Sequence, residues 1–209
     1  MWVTALACTL TPSGSAAAQW SVGLETGATV STLSGSFPRG AESVLGATFG
    51  ATIERRLGEA WILEADPAFT QTGAGSVRVG SSLVDFRFVY LGAPITVGRT
   101  FAILGGHWRV GPYAGAALSW LAGCGLRFRG QFHYSSCLPS TPGGEPSRLD
   151  VSLPVGVTLR HRYAGGSGIA LDLRYAPSLT SVLDPGGLSA RNRLVWIRFG
   201  FTLPLGGGG

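Results

Sequence analysis

The sequence contains no lysine and little charge of either sign. All 16 of its basic residues are arginine, 11 residues are acidic, and charged residues make up 13% of the 209 positions. Soluble globular proteins carry roughly 25%. Apolar residues are ordinary at 45%, so the chain can bury a core but has too little charge to coat a surface that faces water. A mean hydropathy of +0.28 also excludes disorder, because disordered chains combine low hydrophobicity with high net charge.

The sequence also lacks a concentrated basic stripe. Its net charge of +5 comes from arginines that stand singly or in short pairs such as Arg55 and Arg56. Nucleic-acid binding favours clustered basic residues on one face, with aromatic residues between them. The scatter therefore excludes a nucleic-acid partner.

A long hydrophobic run is absent as well. The longest charge-free stretch of interest, residues 110–126, has glycine and proline through its length, and its 17 positions fall short of the roughly 20 that a transmembrane helix needs. Only helices and closed barrels satisfy every backbone polar group in hydrocarbon. If this chain lies in a membrane, it must do so as a closed β-barrel.

Residues 1–18 are typical of an export signal. A short apolar stretch is followed by Ala16, Ala17 and Ala18, the small-x-small pattern of a signal-peptidase site. Cys8 is interpreted as part of the apolar signal core rather than as a lipoprotein box. The sequence then predicts one barrel domain over residues 19–205 and a flexible glycine tail over residues 206–209.

Alternation of apolar with small or polar residues dominates the chain from Trp20 onward. This period of two is typical of strands with two unlike faces, and it recurs about eight times. The clearest case is 149–160, where leucine and valine alternate with polar or small residues such as Asp150, Ser152 and Thr158. No helical period of comparable length competes. The pattern predicts an all-β fold, an eight-stranded antiparallel up-and-down transmembrane β-barrel.

The connections between these strands alternate in length. Short links are predicted at 55–60, 98–107 and 161–168, and longer ones at 31–42, 71–83, 121–147 and 178–192. Outer-membrane barrels have short periplasmic turns and longer extracellular loops. The alternation therefore predicts the outer membrane of a Gram-negative bacterium, with the long loops outside.

The polar face of the predicted strands consists mainly of Gly, Ala, Ser and Thr with isolated charges of both signs. Eight strands enclose an interior just wide enough for side chains to fill it, and a buried charge is costly unless it is paired. We therefore predict a lumen plugged by ion pairs. The predicted members are Glu25, Glu64, Asp66, Arg109, Asp150, Arg160, Asp172, Arg174 and Arg198. A charged eyelet that conducts ions or solutes is the alternative.

Aromatic residues stand at both ends of the apolar face. Trp20, Trp61 and Trp108 fall at the predicted periplasmic ends of their strands, and Phe69, Trp120 and Tyr175 fall at the opposite ends. Membrane barrels carry aromatic girdles at both interfaces. These six residues are the predicted girdles, with outer-membrane lipid as their partner.

Several short motifs resemble the outer-membrane β-barrel family of PorT type. They are Ser-Thr-Leu-Ser-Gly at 31–35, Tyr-Leu-Gly-Ala-Pro at 90–94, Gly-Pro-Tyr-Ala-Gly at 111–115, Leu-Asp-Leu-Arg-Tyr at 171–175 with Leu-Thr at 179–180, and Asn-Arg at 192–193. Their order and spacing cover most of the mature chain. The resemblance implies a barrel placed by the insertion machinery, with a structural, adhesive or secretion and assembly role and a possible protein partner outside the cell or in the periplasm.

Cys124 and Cys137 fall in the longest predicted outer loop, in a compartment where disulfides persist, and we predict that they pair. Two free thiols, or a metal site with His133, are the alternatives. Neither a metal nor a cofactor is predicted, because two cysteines and one histidine are one ligand short of a zinc set.

His133 with Ser135 or Ser136 is the only candidate for a lipid acyl hydrolase or transferase. These residues lack a nucleophile elbow and an acid spaced to orient the imidazole. His107 and His161 fall at the predicted periplasmic rim. The sequence therefore predicts a protein that is not an enzyme, with a lipid-modifying enzyme as the remaining alternative.

Overall fold

A computed structural model describes residues 20–36, 40–79, 81–137, 146–183 and 189–205. The predicted signal segment and the glycine tail lie outside these ranges. The described residues form twelve β-strands and one short 3-10 turn at 104–106. No helix among them has the length and apolar character needed to cross a membrane.

Eleven of the twelve strands form the eight staves of the barrel, where a stave is one strand or two successive strands that continue each other. Four staves are single strands: β1 (Trp20–Gly35), β2 (Val44–Leu57), β7 (Trp108–Phe128) and β11 (Gly168–Pro177). The last stave is a fifth single strand, β12 (Ala190–Leu205). The other three are interrupted: β3 (Trp61–Ala65) continues as β4 (Ala68–Val79), β5 (Ser82–Arg99) as β6 (Phe101–Ile103), and β9 (Leu149–Ser152) as β10 (Val155–Arg162). The two-residue strand β8 (Ser135–Ser136) is added to the edge of β7.

The staves close into a ring of antiparallel pairs. β1 pairs with β2 on one side and with β12 on the other. From β2 the pairing runs through β3 and β4 to β5, then to β7, to β9 and β10, to β11 and back to β12. Every stave therefore has two neighbours, which leaves no open edge. This confirms the predicted all-β fold class and its eight-stranded up-and-down arrangement.

The two faces of the strands follow the sequence alternation. Along β12, Val195, Ile197 and Phe199 are exposed on the barrel exterior, while Trp196 and Arg198 are buried inside. Two of the stave interruptions fall at proline, at residues 66–67 and 153–154, because proline has no N–H for the strand ladder.

The predicted long loop at 71–83 is wrong. β4 and β5 continue through it as a hairpin, with Arg78 opposite Leu83 and Val79 opposite Ser82. β7 likewise continues to Phe128, well inside the loop predicted at 121–147, and pairs with β5 up to Val84. The physical reason is that the strands run on beyond the membrane, where the small residues 73–75 hide their alternation.

The polarity of β5 inverts along its length. In the lower part, the exposed side chains are apolar, including Leu91 and Ile95, and the inward ones include Thr96. In the upper part, Phe86 and Phe88 are fully buried inside, and the outward positions include Asp85 and Arg87. The lower part has the pattern of a strand in lipid and the upper part that of a strand in water. The inversion places the outer boundary of the membrane near residues 87–91.

An apolar cluster fills the barrel above this boundary. Its buried members are Leu33, Ala74, Val77, Val84, Phe86, Phe88, Tyr90, Leu126, Val182, Leu183 and Ala190. It lies where β4, β5 and β7 extend beyond the membrane, and residues 182–183 close over it. The interior therefore has a charged lower part and an apolar upper part.

Candidate functional site

A network of ion pairs crosses the lower lumen from wall to wall. Arg174 on β11 donates from Nη2 to Asp66 Oδ2 over 2.8 Å, and both side chains are fully buried. Asp66 follows β3, which lies four staves from β11 in the ring of eight. A second bridge joins opposite walls, since Arg160 on β10 pairs with Glu54 on β2. Side chains thus reach across the full diameter of the barrel.

Arg198 on β12 connects the network to the neighbouring strand β1. Its guanidinium pairs with Glu25, with Asp66 at 3.1 Å and with Asp172 at 3.0 Å. Arg160 also pairs with Glu64. Each of these carboxylates has an arginine partner, as a low-dielectric interior requires.

Seven of the nine residues predicted for the lumen network lie in it. They are Glu25, Glu64, Asp66, Arg160, Asp172, Arg174 and Arg198. The other two stand apart, and their predicted pairing with opposite charges is wrong among the described residues. Arg109 donates to the Thr100 hydroxyl and the Glu59 carbonyl at the periplasmic mouth. Asp150 lies near the outer end of the lumen and accepts hydrogen bonds from neutral side chains instead.

Three members of the network, Glu54, Arg162 and Tyr113, were not predicted from the sequence. Glu54 is 2% exposed and pairs with Arg160 and Arg162. Continuing the alternation of β2 two residues past Thr52 would have placed Glu54 inside. Tyr113 is the third, with its hydroxyl donating to Asp172 Oδ1 over 2.5 Å and accepting from Arg174 Nε over 2.6 Å. Sequence alternation places Tyr113 on the inner face but cannot show its partners.

Glycine makes room for this network. Gly156 lies opposite both Tyr113 and Arg174 in the two neighbouring strands. A Cβ atom at Gly156 would overlap the Tyr113 hydroxyl. The high glycine content therefore has a local reason at this level of the lumen.

Below the network, the lumen opens into a periplasmic vestibule of about 450 Å³. Its lining includes Arg56, Arg109 and Arg162 together with His107. Above the network lies a cavity of about 40 Å³, beneath the apolar cluster. The ion pairs lie between these two spaces.

The exterior between the two ends is apolar. Large side chains with about half of their surface exposed include Phe49, Ile95, Leu118 and Phe199. Five of the six predicted girdle residues, Trp20, Trp61, Phe69, Trp120 and Tyr175, are 39–53% exposed on this surface. Trp108 is half-buried, because its ring packs on His161 at 4.8 Å between centroids.

The spacing of the girdles fits a membrane. Trp108 and Trp120 lie on the same face of β7, twelve positions apart. At a rise of about 3.3 Å per residue and a tilt of about 40°, that separation spans about 30 Å along the barrel axis. Arg55 stacks on Trp20 with its Cζ 5.1 Å from the ring, as expected at a periplasmic interface.

The parts of the barrel beyond the outer boundary form what we term the extracellular platform: residues 71–79, 81–90 and 121–137. Cys124 and Cys137 form a disulfide there, with Cα atoms 5.5 Å apart. Cys124 lies on β7 rather than in a loop, and β8 pairs back onto β7 through Gly125 and Ser136. With both sulfurs bonded to each other, neither is a free thiol or a metal ligand.

Asp85 holds the outer surface of the platform together. It accepts from the Ser76 N–H at 2.9 Å and from Arg127 Nη2 at 2.6 Å. Burial raises the pKa of Asp85, but these hydrogen bonds outweigh that effect and hold the pKa of the carboxyl below its ordinary value. Tyr134 lies under the guanidinium groups of Arg87 and Arg127, at 5.4 Å and 4.9 Å.

The candidate catalytic residues are not assembled. His133, Ser135 and Ser136 are all exposed on the platform. Among the described residues, His133 makes no hydrogen bond to either serine.

No protein-family model and no curated sequence relative matches the chain. Similar solved structures include Ail, the attachment invasion locus protein of Yersinia pestis, at 18% identity and a TM-score of 0.44 over 88% of this chain and 99% of that one. OprG, an outer membrane protein of Pseudomonas aeruginosa, is 13% identical with a TM-score of 0.49 over 90% and 97%. Neisserial surface protein A is 18% identical with a TM-score of 0.42 over 88% and 97%.

A closed barrel with an apolar exterior band, aromatic residues at both ends of that band and a charged interior has an outer surface suited to contact with lipid. In bacteria, single-chain barrels of this kind lie in the outer membrane. The chain is accordingly an outer-membrane β-barrel protein of a Gram-negative bacterium, as the sequence predicts.

Proposed function

We propose that this protein is a closed outer-membrane anchor that displays a folded extracellular platform for adhesion or for assembly with a protein partner. One observation carries the proposal: ion pairs cross the lumen from wall to wall, while the strands above the membrane enclose an apolar core of their own. Residues such as Phe86 and Phe88 are fully buried in that core, and the disulfide fastens its edge. A barrel that served only as a pore would not need an ordered structure of this kind above the lipid.

The ion-pair network supports the closed state. A channel needs water along its axis, but Arg174 and Asp66 meet across the axis with no exposed surface. Removing one partner of such a pair leaves an uncompensated buried charge, so transient opening by separating the pair is costly. A small pore is therefore the alternative that a conductance measurement has to exclude.

The expected partners follow from this placement. Outer-membrane lipid contacts the apolar band, and the barrel-insertion machinery places the chain in the membrane. A protein partner outside the cell would meet the platform, whose most exposed large apolar side chain is Phe132 at 93%. The motifs resembling PorT-type barrels favour a secretion or assembly role over adhesion, and we propose no enzymatic role.

The proposal is tested with three variants in a Gram-negative host. The first replaces residues 129–134 by a Gly-Ser linker, the second is His133→Ala, and the third is Phe69→Ala on the lipid face as a control. Expected results are loss of surface attachment or partner assembly in the loop variant alone, and unchanged phospholipid acyl hydrolysis in His133→Ala. Attachment and assembly that are the same in the loop variant as in wild type would overturn the proposal. Acyl hydrolysis lost in His133→Ala would favour the enzyme instead.

A further inference from the structure

The periplasmic vestibule, with a volume of about 450 Å³, is large enough to hold a small molecule. Ligand cavities in proteins typically measure about 300–1,000 Å³. Strands β2, β3, β7, β10, β11 and β12 all contribute to its wall. The vestibule lies at the opposite end of the barrel from the extracellular platform, so a ligand bound there is independent of the role proposed for the platform.

Arginine dominates the charge of the vestibule wall. The charged residues that line it are Glu54, Arg56, Glu59, Arg109, Arg160 and Arg162. Glu64, which pairs with Arg160 from above the vestibule, brings the local balance to four guanidinium groups against three carboxylates. The other carboxylates of the network pair with Arg174 and Arg198 higher in the lumen. A concave wall with an excess of one sign focuses its field on the space inside, so the vestibule attracts anions.

Two of these arginines have no carboxylate partner. Glu54 is buried and pairs with Arg160 and Arg162, whereas Arg56 and Arg109 form no ion pair among the described residues. Arg109 also lies directly opposite Arg160 in the neighbouring strand, and like charges in that position destabilise a sheet. The two carboxylates of Arg160 neutralise its charge, but no described carboxylate neutralises that of Arg109. This arrangement favours an anion from outside the chain.

Three guanidinium groups come together at the hairpin between β2 and β3. Arg56 lies on the β2 side of this hairpin, and its side chain lines the vestibule. Arg162 on β10 reaches across the lumen to Glu54 Oε1 over 3.1 Å, two positions before Arg56. Arg109 on β7 donates from Nη2 to the Glu59 carbonyl over 2.8 Å, three positions after Arg56. Strands that do not pair with β2 thus bring two further arginines to Arg56.

We propose that the vestibule binds a phosphate group, held by Arg56, Arg109 and Arg162. Guanidinium groups bind phosphate oxygens through paired, charge-assisted hydrogen bonds, and all three side chains are only partly buried, so their N–H groups can meet a ligand. The space exceeds one phosphate group, and Ile62 and Ile169 add apolar wall for a substituent. The ligand is therefore a phosphate ester, supplied either by a soluble molecule of the periplasm or by the head group of a phospholipid in the periplasmic leaflet.

The test is calorimetric titration of the full-length protein in detergent micelles at constant ionic strength. The probes are inorganic phosphate, glycerol 3-phosphate and dihexanoyl phosphatidylglycerol, and whichever ester binds more tightly identifies a soluble ligand or a lipid head group. Arg56→Gln removes a charge-assisted hydrogen bond and weakens binding roughly tenfold. Arg55→Gln is the matched control, because Arg55 stacks on Trp20 outside the barrel, and it leaves the affinity unchanged. No saturable binding of any probe, or an equal loss in the two variants, would overturn the proposal.

Chemical modification tests the same site in the wild-type protein and does not depend on the folding of a variant. Phenylglyoxal modifies accessible arginine side chains, and peptide mass spectrometry locates the adducts. Glycerol 3-phosphate should slow the modification of Arg56 and Arg109 and leave that of Arg193, which is exposed on the exterior of β12, unchanged. Equal rates at Arg56 and Arg109 with and without the phosphate ester would contradict a phosphate site.

Discussion

Arg174 Nη2 lies 2.8 Å from Asp66 Oδ2 although the two residues belong to opposite walls of the barrel. Asp66 also accepts from Arg198 over 3.1 Å and from the Thr52 hydroxyl over 2.9 Å. One carboxylate thus joins three parts of the wall. Its loss should therefore affect the whole network rather than one contact.

Asp66→Asn removes the charge that faces Arg174 and Arg198 and keeps the size of the side chain. Since breaking a buried ion pair strands the remaining charge, we expect a loss of about 3–5 kcal/mol in the free energy of unfolding. The measurement is urea unfolding in detergent micelles. Asp85→Asn, on the half-exposed surface of the platform, serves as the control and should change the free energy far less. Equal effects of the two substitutions would show that the network does not stabilise the barrel.

Phe88→Ala tests the apolar cluster above the membrane. Phe88 is fully buried, whereas Phe69 is 53% exposed on the lipid-facing surface. Truncating a buried phenylalanine costs about 3–5 kcal/mol, so Phe88→Ala should loosen the platform and speed its proteolysis on intact cells. Phe69→Ala is the matched control and should leave proteolysis of the platform unchanged. If both variants are as resistant as wild type, the upper strands do not form a core of their own.

The disulfide should stabilise the platform and not the barrel. In the chain-entropy account, closing a loop of this length contributes about 3 kcal/mol. Replacing Cys124 and Cys137 together by serine should speed protease cleavage within residues 129–134 on intact cells, while the membrane strands stay protected. Reductant added to the wild type should reproduce the effect. Cleavage at the wild-type rate in both experiments would mean that the bridge does not hold this hairpin.

Asp85 gives the platform a pH dependence of known sign. Its pKa is lower in the folded state than in the unfolded chain, so its stabilising contribution is complete above the unfolded value of about 3.9. The contribution is lost as the pH falls through the lower, folded value. Between pH 5 and pH 2.5, the unfolding midpoint of the wild type should therefore fall further than that of Asp85→Asn. Parallel curves for the two proteins would contradict the assignment.

The fold could be predicted from the sequence because the barrel has two unlike faces, and a period of two reports them directly. Val195, Ile197 and Phe199 face lipid as the alternation predicts, and Arg198 faces the lumen between them. The upper strands could not be predicted in the same way. Above the boundary, apolar residues such as Phe88 face inward and Arg87 faces outward. If the apolar face is assumed to point outward along the whole strand, this region resembles a loop.

The sequence predicted which residues belong to the lumen network better than it predicted which of them pair with each other. Alternation shows that Arg174 and Asp66 face inward, but it does not show which opposite wall each side chain reaches. Asp150 and Arg109 share that inner face and lie beyond the two ends of the network, where hydroxyls and carbonyls meet them instead. Height along the barrel, which depends on tilt and stagger, decides the partners, and residue spacing does not reveal it.

Conductance through planar lipid bilayers tests whether the lumen is closed. The purified full-length protein should give no stable conductance steps above the bare bilayer, because Arg174 and Asp66 bridge the interior. Asp66→Asn should remain non-conducting or show only brief openings, since the apolar cluster still covers the outer end. Large, stable conductance steps with the wild-type protein would contradict the closed lumen and establish a pore.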